Sequence, residues 1–100
     1  MRIKAGVRIA GIKPELLFGL RIAESVYKGL AGAEMTVTAI VDGVHKVGSK
    51  HYVGMAADLR TSDLPPGMAA QIVAALKQQI DQDFDIVLES DHIHLEYDPK

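Results

Sequence analysis

Residues 92–97 read His-Ile-His-Leu-Glu-Tyr, a strict alternation of polar and apolar side chains. Alternate residues of a strand point to opposite faces, so His92, His94 and Glu96 share one side and Ile93, Leu95 and Tyr97 the other. Such a strand belongs in a sheet with one face covered and one face open to water. Residues 84–89 alternate in the same way, with Phe84, Ile86 and Leu88 set against Asp85, Val87 and Glu89. Ser90-Asp91 between the two runs fits a tight connection and predicts a hairpin.

Helices must cover the apolar side, and two are predicted. Leu16, Leu17, Leu20, Ala23, Tyr27 and Leu30 recur at helical spacing behind Pro14, a residue suited to the first helical position. Gly29 and Gly32 are stop signals, and Gly19 interrupts the pattern. Pro65-Pro66-Gly67 opens a second helix with Ala69, Ile72, Val73, Leu76 and Ile80 as its stripe. Residues 35–41 and 55–60 read as two further strands, separated by the Asp42-Gly43 turn and a polar loop over 44–50. Val7, Ile9 and Ile12 suit a short extended arm. The expected fold is α+β, a small antiparallel sheet of about four strands packed against two helices. The chain's 100 residues suit one domain over 1–100.

Composition narrows the chemistry. Eleven Lys and Arg against thirteen Asp and Glu give a net charge of −2, without the basic excess that captures nucleic acid or anionic lipid. No cysteine is present, which excludes disulfides, thiolate zinc sites, iron–sulfur clusters and cysteine nucleophiles. Any metal must be held by nitrogen and oxygen. The apolar runs are too short to span a membrane. Met1-Arg2-Ile3-Lys4 lacks the apolar stretch of a secretory signal, so synthesis in the cytoplasm is expected.

All four histidines fall in two windows. His45 and His51 flank a Gly-Ser loop, with Asp42 and Asp58 nearby; His92 and His94 project from one strand face beside Glu89, Asp91 and Glu96. Imidazole plus carboxylate without sulfur is the ligand set of a catalytic zinc site, in which three protein ligands leave one position for water. His51 and Asp58 are seven apart and would face opposite ways in an unbroken strand. Gly54 can break the register between them.

The spacing is specific. Residues 49–58, Ser-Lys-His-Tyr-Val-Gly-Met-Ala-Ala-Asp, read S-x-H-x-x-G-x-A-x-D, and residues 91–94 read D-H-x-H. Together they resemble the zinc D-alanyl-D-alanine carboxypeptidase and peptidoglycan endopeptidase family, which includes phage endolysins. The resemblance implies zinc ligation by His51, Asp58 and His94. It also implies Asp91 as general base to a metal-activated water and His92 as a further catalytic group. The substrate it implies is a peptidoglycan peptide with amide bonds next to D-amino acids, reached by release or carriage to the cell wall. Many members carry Ser-x-x-Arg on the strand before the first motif. Here that stretch reads Thr38-Ala39-Ile40-Val41-Asp42, and His45, Lys46 and Lys50 are the nearby candidates for the Arg's role.

Blander roles compete at each position. Asp58 can pair with Arg60 or Lys50, Asp91 can serve only the turn, and Glu89 is a rival base. Glu96 shares a face with His94 and can orient its second nitrogen. Tyr52 and Tyr97 suit packing. The hedgehog signalling domain shares a related zinc fold, so the alternative is a non-catalytic zinc-binding module or a phage accessory protein of the same fold.

Overall fold

The computed structural model describes residues 1–40 and 53–99. Its elements run β1 (Arg2–Ile3), α1 (Pro14–Ala31), β2 (Thr36–Ala39), β3 (Ala56–Arg60), α2 (Met68–Gln79), β4 (Phe84–Leu88) and β5 (His92–Tyr97). They form an α+β fold, a five-stranded sheet in the order β1-β2-β3-β5-β4 with two helices on one face.

The expectation of about four antiparallel strands needs one correction. β1 is a fifth strand, and it runs parallel to β2, with Arg2 opposite Thr36 and Ile3 opposite Val37. Neighbouring parallel strands need a crossover, and α1 supplies it. Two residues are too few to show an alternation in sequence. The other pairs are antiparallel.

Pro14 is the first residue of α1, where its missing N–H costs nothing. The helix runs through Gly29 and stops at Ala31, with Gly32 as its cap. Gly19 has a packing reason. A Cβ there would come within 2.8 Å of Phe84 Cε1, so the bare backbone is what lets α1 settle on the first residue of β4. On its buried side α1 presents Leu16, Leu20, Ala23 and Tyr27, and α2 presents Ile72 and Leu76. They meet Val37, Leu59, Ile93 and Leu95, which are fully shielded from water. Burying each large side chain of this set contributes about 1.5–3 kcal/mol before chain entropy is counted.

One buried polar contact fixes the helix layer against the site-bearing strand. The Tyr27 hydroxyl donates to the Arg60 carbonyl at 2.9 Å, and burial pushes the phenol pKa up. Among the described residues, no helix is long and apolar enough to cross a membrane.

Candidate functional site

The helices occupy one face of the sheet, and the candidate site lies on the other. β3 and β5 pair with Asp58 directly opposite His94 and Arg60 directly opposite His92. Opposed residues of an antiparallel pair point the same way, so this register gathers the polar halves of both alternations on one patch. At the neighbouring strand the pairing shifts between Val37 and Ala39, and Ala39 rather than Thr38 stands opposite Asp58. A bulge of this kind bends the strand locally and re-aims nearby side chains.

The two ends of β3 are tethered. Gly54, just before the strand, has φ +72°, in the left-handed region. Its backbone lies so close to the Gly11 carbonyl that a Cβ would approach that oxygen to 2.1 Å, and Lys13 N–H donates to the Gly54 carbonyl at 3.0 Å. Only glycine meets both demands. The glycine of the first motif thus lets the segment before α1 dock against the start of β3. At the other end, Thr61 N–H donates to the Asp91 carbonyl at 3.4 Å, which holds the β4–β5 turn beside the end of β3.

Asp58 is the hub of the patch. Its Oδ1 lies 3.3 Å from His94 Nδ1 and 3.6 Å from His92 Nε2. The far nitrogen of His94, Nε2, lies 3.0 Å from Glu96 Oε1, and the far nitrogen of His92, Nδ1, lies 2.6 Å from Asp91 Oδ1. His94 therefore spans two carboxylates at hydrogen-bond distance. A neutral ring has one N–H and cannot donate to both, whereas the protonated ring can. The His94 pKa is raised accordingly, chiefly by the hydrogen bond to Asp58 and further by Glu96, while partial burial opposes the shift.

These contacts sort the expected site residues. Asp58, His94, His92 and Asp91 come together. Asp58 and His94 are mostly shielded, with side chains 15% and 21% exposed, whereas Asp91 is 79% exposed at the turn. Glu96 orients the second nitrogen of His94, as its shared face suggested. Glu89, the rival base, is exposed and does not line the cleft described below. Tyr97 packs against Phe84 with ring centroids 5.2 Å apart. His51, His45, Lys46, Lys50 and Tyr52 lie outside the described residues, as do Ser49 and the Asp42-Gly43 turn.

A second group of three, Asp85, Glu96 and Asp98, shares Glu96 with the His94 contact and has carboxylate oxygens within 4.8 Å of one another. An all-oxygen set of this kind suits hard cations such as calcium or magnesium better than zinc.

Beside the Asp58 hub opens a cleft of about 450 Å³ lined by Lys4, Thr38, Ala39, Asp58, Arg60, Ser62, Asp91 and His92. Its two cationic residues, Lys4 and Arg60, were not read as site residues from the sequence. Arg60 was considered only as a salt-bridge partner of Asp58, yet among the described residues it forms no ion pair. A signal for Arg60 was present, because it lies two residues beyond Asp58 on the same strand face. Lys4 carried none, since it reaches the cleft only through the pairing of β1 with β2.

The chain was compared with protein-family models and with curated proteins, and nothing matched.

Proposed function

We propose that this face of the sheet is the site of a zinc peptidase acting on peptidoglycan peptides. The observation that carries the reading is the approach of Asp58 Oδ1 and His94 Nδ1 to 3.3 Å across paired strands. Metal–donor distances near 2.0–2.1 Å and a tetrahedral angle set two zinc donors about 3.3–3.5 Å apart, so the pair already has the spacing of two ligands. The resemblance of residues 49–58 to the first family motif supplies His51 as the third. Glu96 on the far nitrogen of His94 is the outer carboxylate that a ligating imidazole usually carries.

Zinc held there would supply a more acidic water and a Lewis acid for the scissile carbonyl. The rest of the chemistry belongs to the chain. Asp91 takes a proton from the attacking water, and His92 Nδ1 at 2.6 Å shares it. As the C–N bond breaks, that proton passes to the leaving amine, so water is divided between the new carboxylate and the new amine. His92 Nε2, turned toward Asp58, can donate to the developing oxyanion when the ring is protonated.

The test is digestion of purified peptidoglycan by zinc-loaded protein, with products read by mass and zinc measured on the same sample. Expected is release of peptides with new carboxyl ends, falling about a hundredfold or more in Asp91→Ala. Zinc-loaded protein that releases nothing would instead be a metal-binding module. A chain that takes up no zinc on reconstitution would overturn the reading altogether.

A further inference from the structure

β4 is an end strand of the sheet, with β5 on one side. Glu89 N–H donates to the His92 carbonyl at 2.8 Å and Asp98 N–H to the Asp83 carbonyl at 2.7 Å, so residues 83 and 89 belong to hydrogen-bonded pairs. Bonded and non-bonded pairs alternate along an antiparallel ladder, so Asp85 and Val87 also turn their backbone groups to β5. Phe84, Ile86 and Leu88 turn theirs outward. Phe84 N–H bends back to the Asp81 carbonyl at 3.2 Å. The Phe84 carbonyl and both backbone groups of Ile86 and Leu88 meet no strand among the described residues. The strand carries no Pro, no Lys and no break in its register with β5, the usual guards of an edge.

The surroundings of this edge are of one sign. Residues 78–99 hold seven Asp and Glu and no Lys or Arg. At the start of β4, on the helix side of the sheet, lies a cavity of about 330 Å³ lined by Glu15, Phe18, Asp81, Asp83, Phe84 and Tyr97. Phe18 is 66% exposed, more than any other large apolar side chain described, so a ring face is open to a ligand. The Tyr97 phenol pKa is raised, first by burial and then by Asp83, Glu15 and Asp81, so the field of the carboxylates falls inside the cavity. Aromatic rings interleaved with carboxylates favour an ammonium or guanidinium on an apolar stem.

We infer that the open edge of β4 takes up an extended basic segment of a partner protein as a further strand, and that a Lys or Arg of that segment enters the aromatic cavity at its start. In such additions main-chain pairing supplies affinity and side chains supply selectivity. A residue placed opposite Phe84 points to the same face of the sheet, with its Cβ about 4.5–5.5 Å from that of Phe84, one wall of the cavity. A long basic side chain starting there can lay its stem on the ring and bring its charge among the carboxylates. Positions opposite Ile86 and Leu88 continue the apolar face, and an apolar residue there covers Leu88, which is exposed. Positions opposite Asp85 and Glu89 again favour a cation. A second copy of this chain fits less well, because pairing edge to edge would set the acidic rim against itself. The surface uses neither Asp58 nor His94, so the inference stands or falls apart from the peptidase reading.

The probe is a capped hexapeptide, Lys-Val-Thr-Val-Lys-Lys, written to run antiparallel to residues 84–89 with its last Lys opposite Phe84. One control carries Glu in place of each Lys. A second is N-methylated at both Val, whose N–H groups would otherwise pair with Leu88 and Ile86. Binding of each to the full chain is followed by NMR titration at low salt. The Lys peptide is expected to bind about tenfold or more tightly than either control, with shifts centred on residues 84–89 and the cavity. Phe18→Ala, at an exposed position, should weaken it about twofold to fivefold, the scale of an exposed cation–π contact. Glu15→Gln should weaken it to a similar extent and flatten its salt dependence. Equal affinity for the N-methylated peptide would reveal charge attraction without strand addition and overturns the inference. So do the absence of binding at millimolar peptide, shifts centred on Asp58 and His92, and unchanged affinity in both variants. A chain that is dimeric by sedimentation, with the Ile86 and Leu88 amides protected from exchange, would mean that a second copy holds the edge, and it overturns the inference as well.

Discussion

The two faces of β5 are built from one strand of six residues and have opposite properties. Ile93 and Leu95 are fully buried against α1 and the neighbouring strands. His92, His94 and Glu96, interleaved with them, are half-buried and each faces a charged or ionisable partner. The core face gains from water exclusion and close packing, and it tolerates no polar atom without a partner. The site face keeps three ionisable groups close together, an arrangement that costs stability unless a proton or a cation is shared among them. Strand alternation lets the same backbone serve both, because a rigid apolar face fixes the register that places Asp58 opposite His94.

This contrast breaks first under substitutions that strike one face only. Asp91→Ala, at an exposed turn, should lower kcat by about 10²–10⁴, the range for losing a general base, while leaving the thermal midpoint nearly where it was. Kinetics and a melt on the same preparation check both halves. A large loss of stability would mean that Asp91 holds the turn and that its catalytic role is wrongly assigned. Leu95→Ala, one residue from His94, should do the opposite. It removes a fully buried side chain and should cost about 2–5 kcal/mol of unfolding free energy, read from a denaturant midpoint. A cost under 1 kcal/mol would show that the sheet's covered face is not the anchor of the site.

Tyr27→Phe sharpens the comparison at the link between the layers. The phenol donates to the Arg60 carbonyl from within the core, and its loss should cost about 1–2 kcal/mol because that carbonyl would be left without its donor. A variant as stable as the wild type would show that β3 needs no such tether.

The sequence revealed the two faces of the sheet more fully than the connections between strands. Alternation in residues 92–97 gave β5 its bounds as the structure has them, and Pro14 gave the start of α1. These signals are local, because strand period and helix entry are written in neighbouring residues. β1 was invisible because two residues carry no period, and its pairing with β2 is made by a crossover through α1. Lys4 was missed for the same reason. At the site, Asp58, His92 and His94 were legible as residue types at a motif spacing. Their meeting depended on the register of β3 against β5, which no single segment specifies. Arg60 was read as a charge for Asp58 to neutralise, whereas the register gives Asp58 to the two imidazoles instead.

The smallest expected effect is one of pH, and it separates the metal-free chain from the zinc-bound one by sign. In the metal-free chain the His94 pKa is raised above its unfolded value near 6.5, first by the hydrogen bond to Asp58. A raised imidazole stabilises the fold in its protonated form. That contribution is fully present below about pH 6.5 and is lost as pH rises through the folded pKa of His94. Ligation requires the neutral ring, so the stabilisation conferred by zinc should grow over the same window. Denaturant midpoints for wild type and His94→Gln between pH 5.5 and 9, with chelator and with excess zinc, isolate the His94 share as the difference between the two proteins. That difference should decline with rising pH in chelator and increase in zinc. The same slope in both conditions would mean that zinc and the proton do not compete for His94. The Asp58–His94 contact would then be an ion pair of the fold rather than half of a metal site.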